Sequence, residues 1–320
     1  VGIAEGRLVI FDPKNEASSL LAAEGGEKFR YFDNSGDGNT LCVLQAPDGS
    51  SRLVKFDGKN FLEQVSNLEI ERLAPGDCEI TGLIQAQNGD IWITTYNEVI
   101  VFKDGVRKSF DLRNEFEWGI STSILELNDG KFWIGGSNGI AQYDGGKWSH
   151  IDAPDFETVR SFFQDRDGVI WVGSGTGVHR LVNGTWISNS YEEGLPDAVV
   201  FNVIKDSQER TWAMTSEGVS LYFPGADTDP PQTDIPSEMN ISKAVPSGEI
   251  QIVFQGKDRW DYTREDQLLF SYRFDDNPWG GFTKNNSAMT AGLTGGNHVF
   301  EVRAMDKNGN IDPTPAQWPF

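Results

Sequence analysis

The sequence predicts an all-β chain in two parts: a run of four-stranded sheets that repeats, then a β region that does not. Three observations carry this. The stretch from Ser123 to Ile151, SILELNDGKFWIGGSNGIAQYDGGKWSHI, holds four short strand-like runs separated by Asp129-Gly130, Asn138-Gly139 and Gly145-Gly146. Such dipeptides tolerate positive φ at tight turns, so the stretch reads as an antiparallel meander. The same pattern recurs along the chain. The second-strand tryptophans Trp92, Trp133, Trp171 and Trp212 lie 41, 38 and 41 residues apart. The proline-rich stretch from Asp227 to Pro236 reads as a stiffened linker at the domain boundary, and beyond it the period is lost, yet alternating apolar residues continue. A single small meander cannot bury both faces, so recurrent copies predict radially stacked blades. The expectation is a β-propeller of about six blades, with an incomplete N-terminal blade, followed by an immunoglobulin- or fibronectin-like β-sandwich. The propeller occupies 1–228 and the sandwich 229–320.

The blades follow in order. Third strands recur at Leu8, Leu53, Val99, Ile140, Val178 and Val219. First-and-second-strand pairs number five, so the chain begins in mid-blade, at Gly6 to Pro13. In the second blade Leu41 stands where the others have tryptophan. The tryptophans are read as flat plugs between adjacent sheets rather than as a ligand platform. In the C-terminal part, Glu249 to Gln255, Leu268 to Phe274 and His298 to Ala304 each alternate as one strand. Shorter candidates are Phe282–Thr283, Ser287 to Ala291 and Gln317 to Phe320. About seven strands without a cysteine pair fit a sandwich.

Composition narrows the function. Acidic residues outnumber basic ones 48 to 27, for a net charge of −21. That excludes a basic stripe for nucleic acid and disfavours an anionic membrane surface, while neutral or cationic ligands fit. No run approaches about eighteen consecutive apolar residues, so this stretch does not insert in a membrane. Val1 opens the chain without a leader, the pattern of an excised piece. Cys42, at a second-strand position matched by Ile134 and Val172, reads as a small buried hydrophobe. Cys78 stands near a blade entry, and a bond to Cys42 has no support in the sequence.

The pattern D-G-x-x-W-[IV]-G-x-x-x-G-[IV]-x-x-[YL], at Asp129 to Tyr143 and Asp167 to Leu181, resembles the two-component-regulator propeller repeat. The copies around Trp92 and Trp212 fit it more loosely. Tyr272-Arg273-Phe274, Trp279, Ala288, Leu293, Gly295, Val299 to Ala304, Asp306 and Gly309 are similar to the triple-tyrosine (Y_Y_Y-type) sandwich domain that follows such propellers. The resemblance implies a non-catalytic sensor ectodomain of a bacterial signalling protein, periplasmic or extracellular. It would bind a small molecule or glycan and pass the signal through the sandwich to an intracellular module. A homodimer through the sandwich is a further expectation. Two other readings are a secreted propeller enzyme acting on polysaccharide and an extracellular scaffold or adhesion module.

No catalytic motif stands out. His150, His179 and His298 are far apart in repeat phase, which argues against a zinc site. No nucleophile elbow, phosphate loop or HExxH occurs. Acids in blade-entry loops (Glu115, Glu117, Asp155, Glu157, Glu192 and Glu193) keep the enzyme reading alive but read as solvated charges. No cofactor is called for; calcium is the one ion left open. Asp33 to Gly38 begins like a calcium loop but fits the hairpin turn of its repeat better. Asp306 to Asp312 is rich in oxygen ligands but reads as a plain hairpin loop. Propeller topology gathers ligand sites on loops at the blade entries and between strands two and three. Trp118, Tyr96, Arg160 and Tyr191 are the candidate ligand-binding residues there. Trp118 leads, because it lies outside the repeat and an exposed indole suits sugar stacking.

Overall fold

The computed structural model describes residues 2–12, 17–34, 39–65, 80–112, 119–206, 208–237, 250–290, 293 and 295–320. The chain is all-β, and six antiparallel meanders follow one another among these residues. The first has three strands, Gly2–Ala4, Arg7–Asp12 and Ala17–Leu21. It therefore carries one strand more than the sequence pattern suggested, because the turn at Glu5-Gly6 folds Gly2–Ala4 back onto Arg7–Asp12. Four-stranded sheets then span Lys28–Asn34 to Phe61–Val65, Ile80–Gln85 to Val106–Asp111, Ser121–Glu126 to Trp148–His150, and Val159–Gln164 to Thr185–Asn189. The sixth has three strands, Val200–Lys205, Thr211–Thr215 and Gly218–Leu221.

One turn recurs, between second and third strands in the second sheet and between first and second strands in the four sheets that follow. The amides of Ala46, Ala86, Leu127, Asp165 and Asp206 each donate to the carbonyl four residues on, at 2.7–2.9 Å. Their own carbonyls accept from Gly49, Gly89, Gly130, Gly168 and Glu209. Those five residues all have positive φ, which is why the sequence places glycine at four of them. In four of the sheets the first strand also carries a register shift near its start, between Phe29/Tyr31, Ile80/Gly82, Ser121/Ser123 and Val200/Asn202. A bulge at one fixed place adds the same local twist to each of these four sheets.

The chain forms two compact units. One holds Val1–Gln164 with Val172–Thr176, the other Asp165–Trp171 with Gly177–Phe320. The cut passes through the fifth sheet, a different division from the change of pattern at 228/229. Within the first unit, cores lie between consecutive sheets. Leu8, Phe29, Cys42 and Val54 form one, Leu41, Leu53, Ile93 and Ile100 another, and Trp92, Val99, Ile134 and Ala141 a third. Trp92 stacks on Phe132 of the next sheet, with ring centroids 3.9 Å apart, and Trp133 meets Phe162 edge-on at 6.1 Å. In the second unit Trp171 meets Tyr222 edge-on at 5.1 Å. These three indoles are buried, and Trp212, in the last sheet, is half-buried. The plug role read from the repeat thus holds for the first three. Cys42 is free and fully buried, and burial pushes its thiol up to about 12.

In the second unit the C-terminal region builds three small sheets. Gln232–Asp234 pairs with Gln255–Lys257, and Gln251–Val253 with Ser287–Met289. Leu269–Phe274, Val299–Met305 and Ala316–Pro319 form the third. Two expectations are corrected here. The alternating run around Ile252 is two strands on two sheets, because the chain switches partners at Phe254. That ring is fully buried against Phe270 and Phe300 at 5.2 and 5.7 Å, while its amide bonds the Asn286 carbonyl. The stretch from Asp227 to Pro236 is no bare linker. Gln232–Asp234 is a strand, the Thr233 amide bonds Asp312, and its hydroxyl accepts from the Ala304 amide. The guanidinium groups of Arg273 and Arg303 both approach the Trp279 ring, at 4.7 and 4.2 Å.

Candidate functional site

A cleft of about 420 Å³ lies within the second unit. The fifth and sixth sheets contribute Trp171, Val178, Val203 and Ala213, and Tyr222 directly follows the last strand of the sixth. The segment after the fifth sheet contributes Glu192 and Glu193, and the chain leaving the sixth contributes Phe223 and Asp227. Tyr262, Lys307 and Asn308 come from C-terminal loops.

Local sequence explains the arrangement. Ser190 caps the short turn Tyr191–Glu193, and the Glu193 side chain reaches back to the Ser190 amide, a capping box. Glu193 also pairs with Lys307, and both side chains are 13 % exposed. Its carboxyl sits below the usual range; burial alone would raise it, and the bonds from Lys307 and Ser190 outweigh that. It is an anchored anion, poorly suited to donate a proton. Arg180, buried, donates to the Tyr222 hydroxyl and to the Lys307 carbonyl. Its guanidinium lies 5.8 Å from the Trp171 ring and 5.1 Å from that of Tyr222. The two aromatic walls are therefore held by one fixed cation. At the mouth, Phe223 and Tyr262 are 66 % and 63 % exposed. Large exposed rings beside carboxylates and an amide suit a ligand with flat apolar faces and many hydroxyl groups.

The candidate residues from the sequence fall in different places. Trp118 lies outside the described residues, as do Glu115, Glu117, Cys78 and Ser35 to Gly38. Tyr96 sits half-buried in the turn between Ile91–Thr95 and Glu98–Lys103, where its carbonyl accepts from Ser121. Arg160 is half-buried in Val159–Gln164. Both belong to the first unit. Tyr191 belongs to the second and is exposed beside the cleft residues Glu192 and Glu193. The blade-entry loop that holds Tyr191, Glu192 and Glu193 was singled out from the sequence. Tyr222, Phe223, Asp227, Tyr262 and Lys307 were not. They come from three separate segments, two of them outside the repeat, and no spacing in the sequence joins them.

His179, behind the cleft wall on Val178–Val182, is buried, with Nδ1 2.7 Å from the Ser188 hydroxyl. Burial, helped by Lys284, lowers its pKa to about 4. The folded protein thus holds the imidazole neutral, whereas the unfolded chain protonates near 6.5. The resulting contribution is complete above pH 6.5 and is lost as pH falls toward 4. At pH 5 this group alone should remove about 2 kcal/mol relative to pH 7.5. Denaturant unfolding between pH 7.5 and 5 should show that slope, and His179→Gln should flatten it. An unchanged slope in the variant would mean that other groups carry it.

The fold and cleft define an all-β protein of propeller blades with a concave, aromatic-walled site. Residues 155–176 match the two component regulator propeller family. No curated protein matches the chain. Among solved structures, the extracellular domain of BT3049 from B. thetaiotaomicron, assigned to the hybrid two component systems, is 15 % identical with a TM-score of 0.53. The match covers 97 % of this chain and 45 % of that one. The extracellular domain of BT4673 from the same organism, assigned to the one component systems, is also 15 % identical, with a TM-score of 0.49 over 98 % of this chain and 53 % of that one. XC5397, a gluconolactonase from Xanthomonas campestris, is 16 % identical with a TM-score of 0.47 over 68 % and 79 %. The chain thus spans about half the length of these two extracellular domains. At these identities the likeness speaks to fold. Among the described residues no helix is long and apolar enough to cross a membrane.

Proposed function

We propose that this chain is the ligand-sensing, non-catalytic extracytoplasmic region of a bacterial membrane signalling protein of two-component type, lying in the periplasm or outside the cell. We further propose that its cleft takes a carbohydrate and that the region from 229 to 320 is a two-layer sandwich of the triple-tyrosine kind. The observation that carries the ligand reading is the cleft, in which Trp171, Tyr222, Phe223 and Tyr262 meet Glu192, Asp227 and Asn308. The regulator-propeller match at 155–176 supports the sensing role. The net charge of −21 favours a neutral or cationic ligand over nucleic acid. Tyr191 belongs to the same proposed site; Trp118, Tyr96 and Arg160 form the rim-loop alternative.

A glycan array probed with the 320-residue chain, followed by calorimetry on the strongest binder, tests this. Tyr262→Ala should weaken binding about tenfold, the effect of removing one stacking ring. Full affinity in Tyr262→Ala and Tyr191→Ala, with loss in Trp118→Ala or Arg160→Ala, would move the site to the rim loops. Release of shortened glycan would replace the sensor reading with the polysaccharide enzyme.

A further inference from the structure

Three carboxylates converge beside the cleft. Asp227 follows the sixth sheet, Asp258 follows the strand Gln255–Lys257, and Asp306 opens the turn after Val299–Met305. Each offers one oxygen, and these oxygens lie within 4.8 Å of one another. The residues are 7 %, 0 % and 1 % exposed. Part of their hydrogen-bonding capacity serves the local chain. Asp306 accepts from the Asn308 and Asn310 amides and the Asn310 side chain, Asp258 from the Thr263 amide, and Asp227 from the Asp229 amide. These bonds explain why Asp306 reads as an ordinary turn residue.

They do not explain the rest. Asp227 Oδ2 and Asp258 Oδ1 are buried and have no donor among the described residues. None of the three carboxylates has a lysine, arginine or histidine ion-pair partner there. Of the cations next to them in the chain, Lys307 pairs with Glu193 and Arg259 with Asp229, and Arg180 ends on the Lys307 carbonyl and Tyr222. Burying like charges together while leaving two acceptors empty is unfavourable unless a cation completes them. All-oxygen, carboxylate-rich donors select a hard cation. Oxygens this close are within reach of one calcium ion, with bonds of about 2.4 Å, and calcium accepts a buried set of protein oxygens that magnesium, which dehydrates reluctantly and keeps several waters, does not favour.

We propose that Asp227, Asp258 and Asp306 form a calcium site that ties the exit of the sixth sheet to two loops of the C-terminal region. Asp227 also lines the cleft, so the ion sets the position of one cleft wall. Calcium at millimolar levels outside the cytoplasm suffices for a site of the extracellular class.

The test uses the whole chain, stripped with EDTA and exchanged into metal-free buffer at pH 7.5. Titration with calcium chloride to 10 mM should raise the melting temperature by about 5 °C or more, for a dissociation constant near 0.1 mM. Magnesium chloride should give less than half that shift. Asp258→Asn keeps an acceptor for Thr263 and removes one charge. It should melt at or above the metal-free wild type and lose the calcium response. If Asp258→Asn does not fold, Asp306→Asn makes the same comparison, and equilibrium dialysis of the wild type against about 1 mM calcium chloride, with the excess calcium over the outer buffer read by elemental mass spectrometry, gives an independent reading of about one ion per chain. No calcium shift and no bound ion in the wild type, or an undiminished shift in either variant, would overturn the proposal.

Discussion

Replacing Gly177 with alanine should destabilise the protein by about 4 kcal/mol or more. Gly177 joins Ile170–Ser174 to Val178–Val182 with φ at 135°, a region closed to L-residues. A Cβ there would also lie 2.2 Å from the Asn189 carbonyl oxygen. That oxygen is backbone, fixed by the pairing of Val178 with Asn189, and cannot step aside as a side chain would. The corresponding Gly139 has φ at 101°, but a Cβ there would meet only His150, at 3.7 Å. Gly139→Ala should therefore lose only the conformational part, about 1–2 kcal/mol. Gly146, without positive φ and with nothing within 4 Å, should accept alanine with little change. Calorimetric melting of the three variants tests the ranking. Equal losses at Gly177 and Gly139 would show that the carbonyl contact relaxes.

These glycines also mark what was readable without coordinates. A dihedral requirement that recurs leaves a recurring letter, so Gly139, Gly177 and Gly218 and the tryptophans Trp92, Trp133 and Trp171 disclosed the sheets and their wedges. The C-terminal region has no second copy of itself. Nothing in the alternation around Ile252 says that the chain changes sheets at Phe254, because a buried phenylalanine looks the same in one long strand or at the junction of two short ones. The cleft and the acid cluster were harder still. Asp227 sits among prolines that read as a linker, and Asp258 has no motif. Asp306 already has a sufficient local role in its turn. Only tertiary packing, with chain separations of 31 and 48 residues between successive members, shows that they share one buried point.

Asp165→Ala should destabilise the chain by about 3 kcal/mol, although Asp165 belongs neither to the cleft nor to the D-G-x-x-W pattern that betrayed the repeat. One of its oxygens accepts from the Asp167 and Val169 amides and holds the recurrent turn; the other accepts from Trp171 Nε1 at 3.1 Å. Truncation would remove those bonds together and leave the indole N–H of a 5 % exposed ring without an acceptor. Asp206 does the same for Trp212, at 2.8 Å, so an aspartate six residues before the tryptophan is a working part of these two sheets. Elsewhere the position is apolar. Leu127 precedes Trp133, whose N–H turns to Gln142 instead, and Ala86 precedes Trp92, whose buried N–H has no partner among the described residues. The Trp92 sheet shows that a blade survives without the bond, so Asp165→Ala should fold and be weakened rather than fail. Trp171 is also a cleft wall, and freeing its indole should loosen that wall. Asp165→Asn, which preserves an acceptor, should recover at least half of the lost stability in urea unfolding. A variant as weak as alanine would place the effect in the carboxylate charge and its approach to Lys205 at 3.8 Å rather than in the indole bond.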